Sequence, residues 1–150
     1  MITLKRTDST NTHFISLVKE LDLDLKIRDG EEHDFFAQYN KIDLIQHVVV
    51  AYFNDQPIGC GAIKHYAENI MEVKRMYVKE SYRGKGGATR VLKELETWAS
   101  ELGYDKCILE TGLKQPEAIA LYEKSNYKKI RNYGQYEHVE SSVCFEKHIV

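Results

Sequence analysis

Hydrophobic positions recur with two periods along this chain, and the switches between them outline a fold. Ile2-Thr3-Leu4-Lys5-Arg6 alternates as a strand does, whereas Phe14, Ile15, Leu17, Val18, Leu21 and Leu25 fall at helical spacing within Asn11 to Leu25. A short second helix is expected near Glu31 to Tyr39. Strand-like runs then come in series, Gln46 to Phe53, Ile58 to His65 and Met71 to Val78. Turn residues separate them, Asn54-Asp55-Gln56-Pro57 after the first and Ala67-Glu68-Asn69 after the second. Runs joined so closely pair as an antiparallel meander.

The helical period returns after the turn Tyr82-Arg83-Gly84-Lys85-Gly86-Gly87-Ala88. Val91, Leu92, Leu95, Trp98, Ala99 and Leu102 form one stripe, with Arg90, Lys93, Glu94, Glu96 and Glu101 opposite and Gly103 placed to end the helix. Lys106 to Thr111 reads as a strand. Pro116 suits the first turn of a helix running to about Ser125, which Asn126 closes in a left-handed conformation. Tyr127 to Tyr133 and Ser142 to His148 alternate as two last strands. The predicted order is β-α-α-β-β-β-α-β-α-β-β. This is an α+β arrangement, a mixed sheet of about seven strands flanked by about four helices.

A chain of 150 residues is most simply one domain, 1–150, long enough for a sizeable core. The longest apolar run, Val48 to Phe53, is far too short to cross a bilayer, and the N-terminus lacks a signal-peptide pattern. Cys60, Cys107 and Cys144 each sit in an apolar run without ligand spacing, which favours buried reduced thiols. A cytoplasmic protein away from membranes is expected. Six histidines show no metal-ligand spacing, so no metal is expected. The net charge of −2 argues against a bulk nucleic-acid binder. Yet between Lys74 and Lys93 seven basic residues face one acidic residue, Glu80. A local basic patch on a mildly acidic chain suits a small anionic ligand.

The same stretch carries the chemistry. A strand ending in a glycine-dense turn at a helix start is an anion seat, because the first helical N–H groups lack internal partners and the helix dipole adds attraction. The turn is not a Walker loop, which needs Gly-Lys-Ser/Thr. Nor is it a dinucleotide fingerprint, since the third glycine and the repeated parallel βαβ setting are missing. What remains is Arg83-x-x-Gly86-x-Ala88 between a strand and a helix.

That pattern resembles the acetyl-CoA loop of the GCN5-related N-acetyltransferases (GNAT), in particular their small bacterial-like members. The run Glu117-Ala118-Ile119-Ala120-Leu121-Tyr122-Glu123-Lys124-Ser125-Asn126-Tyr127 resembles the family's later helix-to-strand signature. The likeness covers roughly Gln46 to the C-terminus. It implies acetyl-CoA as co-substrate, with its pyrophosphate on Arg83, Gly84, Lys85, Gly86, Gly87, Ala88 and Thr89. It implies pantetheine along Met76, Tyr77 and Val78, with further contacts at Gln115 and Lys124. An N–H near Tyr77 or Val78 would polarise the thioester carbonyl.

The likeness also aligns Tyr122 with the tyrosine that protonates the departing thiolate, the other reading being a core aromatic. Glu72, eleven positions before Arg83, has a spacing similar to the general-base glutamate of the histone-acetylating branch. Its other reading is an exposed strand residue paired with Lys74. The chain departs from the family pattern at Gln115, where Asn is common, at Asn126, where Gly is common, and at Gly87, which is usually apolar.

The activity so implied is acetyl transfer to a primary amine by direct attack in a ternary complex, with Glu72 or water as base. The alternative is an acyl-CoA-binding sensor or interaction module without turnover, and a nucleic-acid binder using Arg75, Arg83, Lys85 and Arg90 is the weaker third reading. The acceptor is a small-molecule or peptide amine. Asp22, Asp24, Asp29, Glu31, Glu32 and Asp34 would attract it if they are not simply a solvated face. Tyr133, Tyr136 and Glu137 either line its mouth or are turn residues. Oligomeric state is open, a homodimer included.

Overall fold

The computed structural model describes residues 1–30 and 45–150. Its strands are β1 (Ile2–Thr7), β2 (His47–Phe53), β3 (Gln56–Ala67), β4 (Ile70–Val78), β5 (Lys106–Gly112), β6 (Lys128–Ile130) and β7 (Ser142–His148). Its helices are α1 (Thr12–Asp29), α2 (Gly87–Glu101) and α3 (Pro116–Lys124). The strands form one seven-stranded sheet in the order β1-β2-β3-β4-β5-β7-β6. The expected helix near Glu31 to Tyr39 lies outside the described residues.

The meander holds. β1 to β4 pair antiparallel in sequence, and the β2–β3 turn puts Asn54 (φ 49°) and Asp55 (φ 68°) in the left-handed region. Two consecutive positive φ values suit a two-residue hairpin whose twist matches its strands. One expectation needs correction: the run from Tyr127 to Tyr133 pairs only over Lys128–Ile130. The side-chain amide of Asn132 donates to the carbonyls of Val139 (3.0 Å) and Ser142 (3.1 Å), which closes the loop before β7. Tyr133 and Tyr136 then turn toward the sheet instead of extending the strand.

The sheet is buried on both faces, which is why β2 reads as a continuous apolar run rather than an alternating one. Val48 and Val50 pack with Phe14, Leu17 and Val18 of α1. Val49 and Ala51 face the other way, onto Val91, Leu92, Leu95 and Ala99 of α2. Full burial of each Val, Leu or Phe side chain in these sets is worth about 1.5–3 kcal/mol. Gly61 lets α2 approach closely, because a Cβ there would press on Met76 and lie 2.9 Å from Val91 and Leu95.

Two irregularities in β4 open the sheet. Arg75 has φ 62°, and the β3 register passes from Ala62↔Lys74 to Cys60↔Tyr77, so two β4 residues, Arg75 and Met76, oppose Gly61 alone. Such a bulge shifts the alternation by one residue. Met71 and Val73 before it and Met76 after it consequently all meet the α2-side core. Moreover, β4 pairs with the parallel strand β5 only from Ile70 to Glu72, against Lys106 to Ile108. Beyond Glu72 the two strands separate, leaving a V-shaped cleft in the middle of the sheet.

Candidate active site

The wider arm of this cleft runs from the end of β4 to the start of α2 and has a volume of ≈ 380 Å³. Gly86 caps α2 at φ 83°, with no capping side chain and no acidic residue in the first turn. The first intrahelical bond back to the cap comes from Arg90 N–H to the Gly86 carbonyl, 3.1 Å. The N–H groups of Gly87, Ala88 and Thr89 are therefore not used within the helix. A Cβ at Gly84 (φ 79°) or Gly86 would meet nothing within 4 Å. Glycine is required there by its backbone angle, and the space beside it is open for a ligand.

Eleven of the twelve expected donor-site residues line this arm: Met76, Tyr77 and Val78 on β4, Arg83, Gly84, Gly86, Gly87, Ala88 and Thr89 at the turn, and Gln115 and Lys124 at α3. Lys85 is the exception, its ammonium lying 5.6 Å above the ring of Tyr82. Arg83 does more than supply charge. Its Nε–H donates to the Val78 carbonyl at 2.8 Å and its guanidinium sits 5.7 Å above the Tyr77 ring, which ties the turn to the free end of β4. Gly87 is buried against Ile2, Ile58 and Val78 with room for a Cβ, so its departure from an apolar residue leaves the helix start in place.

The narrower arm, ≈ 100 Å³, lies deeper between β4 and β5. It shares Leu21, Met76, Gln115, Ala118 and Tyr122 with the wider arm, so the two meet there. Tyr122, on α3, is 5 % exposed and packs edge-on to Tyr127, with centroids 5.8 Å apart. It is thus both a core aromatic and a wall of both arms. Burial, helped by the charge of Glu110, pushes its phenol well above the usual tyrosine range, so the hydroxyl keeps its proton.

Glu72 lines the narrower arm at 8 % exposure. The Tyr133 hydroxyl donates to its Oε2 at 2.5 Å, and Lys74 Nζ lies 3.6 Å from its Oε1. Glu72 is buried rather than the exposed strand residue of the other reading, although its pairing with Lys74 is present. Tyr136 lines the arm and Tyr133 supports Glu72, while Glu137 is exposed. Of the acidic residues, Asp22 ion-pairs with Arg75 at 2.9 Å, and Asp24 pairs with Arg28 at 3.2 Å and lines the wider arm. Glu31, Glu32 and Asp34 lie outside the described residues.

Sequence reasoning missed Glu110 and Thr111 of β5 and the position of Arg75 at the bulge, all of which line the narrower arm. A polar residue interrupting the apolar strand Cys107-Ile108-Leu109 was the one available signal for Glu110. Arg75 Nε is buried without a hydrogen-bond partner, an unusual cost that Asp22 offsets on the same guanidinium. Among the described residues no group of three or more His, Cys, Asp or Glu has metal-binding geometry, and no helix is long and apolar enough to cross a membrane.

A splayed parallel pair, with an uncapped helix start at one end and a buried phenol at the junction, is the architecture of an acyl-CoA N-acyltransferase. A sequence profile of the acetyltransferase (GNAT) family matches residues 15–127, and the chain belongs to this family. It is 31% identical over 150 residues to an IAA acetyltransferase of Azospirillum brasilense, covering 97% of each chain. A solved structure from Klebsiella pneumoniae, assigned as an acyl-CoA N-acyltransferase, superposes with TM-score 0.83 at 26% identity, over 100% of this chain and 99% of that one. The fold is also shared with a PaiA N-acetyltransferase of Thermoplasma acidophilum solved with coenzyme A, at TM-score 0.73, 19% identity and 99% coverage of each chain. The protein is an acetyltransferase whose acetyl donor is acetyl-CoA and whose acceptor is an amine.

Proposed function

We propose that residues 1–150 act as one domain that transfers acetyl directly from coenzyme A to a primary amine while both substrates are bound. The observation that carries this reading is the junction at Tyr122, where a cleft ending on an uncapped helix start meets a separate carboxylate-lined pocket. Direct transfer needs donor and acceptor to arrive from two sides within reach of each other. A covalent relay would need a nucleophile at that junction. The three cysteines are buried elsewhere, and burial pushes the thiols of Cys107 and Cys144 up to about 12 and about 11.

Acetyl-CoA lays its pyrophosphate on the N–H groups of the turn, beside Arg83, and its pantetheine along Met76 to Val78. Gln115 and Lys124 face the same arm. A backbone N–H near Tyr77 or Val78 holds the developing oxyanion. Glu72 takes a proton from the acceptor nitrogen, directly or through water, and the amine attacks the thioester carbonyl. The C–N bond forms, the C–S bond breaks, and Tyr122 protonates the departing thiolate. An ammonium nitrogen loses two protons overall and sulfur gains one, so one proton reaches solvent per turnover.

The test is thiol release from acetyl-CoA with polyamines, aminoglycosides, amino acids and peptide N-termini. At least one acceptor should turn over to an N-acetylated product, with intersecting double-reciprocal lines; parallel lines would overturn direct transfer. Glu72→Gln should lower kcat by about 100-fold where chemistry limits the rate. An unchanged kcat would remove Glu72 as the base.

A further inference from the structure

Lys74 is the one lysine among the described residues that lines the narrower arm. It follows Glu72 by two residues on β4, ahead of the bulge, so the two side chains leave the strand on the same face. The Lys74 side chain is 10 % exposed, an unusual place for an ammonium. Its charged partner among the described residues is Glu72, with Nζ 3.6 Å from Oε1. That separation makes an ion pair but is too long for a hydrogen bond. By contrast, Lys106 and Lys147 donate to Glu146 and Glu96 at 3.2 and 2.9 Å. Among the described residues Arg75 Nε is the buried side-chain polar atom without a partner, so Lys74 Nζ is not sealed in protein and opens onto the arm.

A primary amine thus stands beside the proposed base, in the place an acceptor nitrogen has to reach. A base works on a nitrogen within about 2.6–3.2 Å, or through one water. The Glu72 carboxylate is held through its other oxygen by the Tyr133 hydroxyl, at 2.5 Å, whereas the flexible four-carbon lysine stem is free to close the remaining gap. Met76, where the two arms meet, is two residues further along β4. Its Cα is therefore at most about 7 Å from that of Lys74. An amine carried on the strand that seats the thioester needs no encounter from solution.

We propose that Lys74 is a self-acetylation site: with acetyl-CoA bound and no acceptor in the narrower arm, the enzyme acetylates its own Lys74 Nζ and so closes that arm. The inference rests on the amine-acetylation reading above. Glu72 takes one proton from the Lys74 ammonium, and the freed nitrogen attacks the thioester carbonyl. The C–N bond forms, the C–S bond breaks, and the sulfur leaves with the Tyr122 proton. Of the two protons the ammonium loses, one replaces that of Tyr122 and the other reaches solvent. The product is an amide, which is not passed on to a later amine as a thioester would be. Acetylated Lys74 is uncharged, so Glu72 loses its ion pair, and the acetyl group fills part of the ≈ 100 Å³ of the arm. An acceptor amine in the arm protects Lys74 by occupying the same space.

The experiment incubates the full chain with acetyl-CoA and no amine, and follows each lysine by peptide mass spectrometry. Lys74 should gain one acetyl group with a rate constant independent of protein concentration. The exposed Lys128 and Lys129 report acetylation from solution and should lag behind. Glu72→Gln and Tyr122→Phe should each slow the Lys74 reaction about 100-fold and leave Lys128 unchanged. If Glu72→Gln no longer binds acetyl-CoA, Tyr122→Phe decides. After pre-incubation the wild-type turnover of an amine should fall in proportion to the chains acetylated at Lys74, while Lys74→Arg shows the same rate with and without pre-incubation. Amine turnover with Lys74 left unmodified overturns this inference and leaves the amine-acetylation reading standing. Lys74 acetylation that keeps pace with Lys128, or that scales with protein concentration, also overturns it. Full acetylation of Lys74 with undiminished turnover overturns the closure of the arm. If neither Lys74 nor any amine is acetylated, the amine-acetylation reading falls, and this inference with it.

Discussion

The two arms of the cleft are built from different materials. The arm proposed for acetyl-CoA, the donor arm, presents backbone: an uncapped helix start, glycines at positive φ and a strand edge released by the splay. The arm proposed for the amine, the acceptor arm, is lined by residues of β4, β5, α3 and the turn before β7, with Leu21 and Leu25 closing it from α1. A backbone device must be written in consecutive residues, because only consecutive residues shape a turn. A side-chain pocket is written in residues far apart, such as Glu72 and Tyr133, which are separated by 61 positions yet share a hydrogen bond. The donor arm can therefore stay common to a family while the acceptor arm changes residue by residue.

The sharpest test of where the arms meet is Tyr122→Phe. The ring contacts with Tyr127 and Phe145 survive the change, so the fold should hold while the proposed proton donor is lost. With chemistry rate-limiting, kcat should fall by about 100-fold, and both KM values should move little. The pH profile fixes the sign. Burial and the Glu110 charge raise the phenol pKa, so the proton is retained above the ordinary tyrosine value of about 10. Loss of the donor should not limit the rate below that pH. A falling limb at about pH 8–9 that persists in Tyr122→Phe would point to another donor.

Gly86→Val attacks the donor arm alone. The residue sits at φ 83°, where a β-branched side chain is strained by about 1–3 kcal/mol. Its Cβ meets no protein atom within 4 Å, so the added bulk falls in the open space proposed for the pyrophosphate. The acetyl-CoA KM should rise about tenfold, and Tm should fall by about 2–4 °C for each kcal/mol of strain. The acceptor KM should not follow. If both KM values rise together, the arms are coupled and the comparison between them fails.

Legibility in the sequence follows the same division. The helical stripe of α2, the meander and the loop Arg83-x-x-Gly86-x-Ala88 are local patterns, and each appears in the structure close to where periodicity puts it. The exceptions are positions where tertiary contacts override local pattern. Tyr127 to Tyr133 alternates like a strand, yet the Asn132 side chain closes a loop and turns Tyr133 under Glu72. Arg75 reads as one member of a basic patch, but a bulge folds it inward onto Asp22. Glu110 carries no motif of its own. Its place in the narrower arm depends on β5 leaving β4 after three residue pairs, a decision no short stretch of either strand encodes.

The smallest expected effect separates support from chemistry within the acceptor arm. Tyr133→Phe removes the hydroxyl that donates to Glu72 Oε2 at 2.5 Å and keeps the ring contacts with Tyr66 and Tyr136, at 5.2 and 5.9 Å. Lys74 still stands beside the other carboxylate oxygen, so Glu72 loses part of its orientation rather than all of it. A hydrogen bond to a charged group is worth about 1.5–3 kcal/mol. With that partial compensation kcat should fall about fivefold, while the acetyl-CoA KM holds. The decisive measurement is the double-mutant cycle with Glu72→Gln. If Tyr133 acts by orienting the Glu72 carboxylate, its removal should have little further effect once that carboxylate is gone. A full fivefold loss persisting in the Glu72→Gln background would mean that Tyr133 supports the shape of the arm, and that Glu72 is held in place without it.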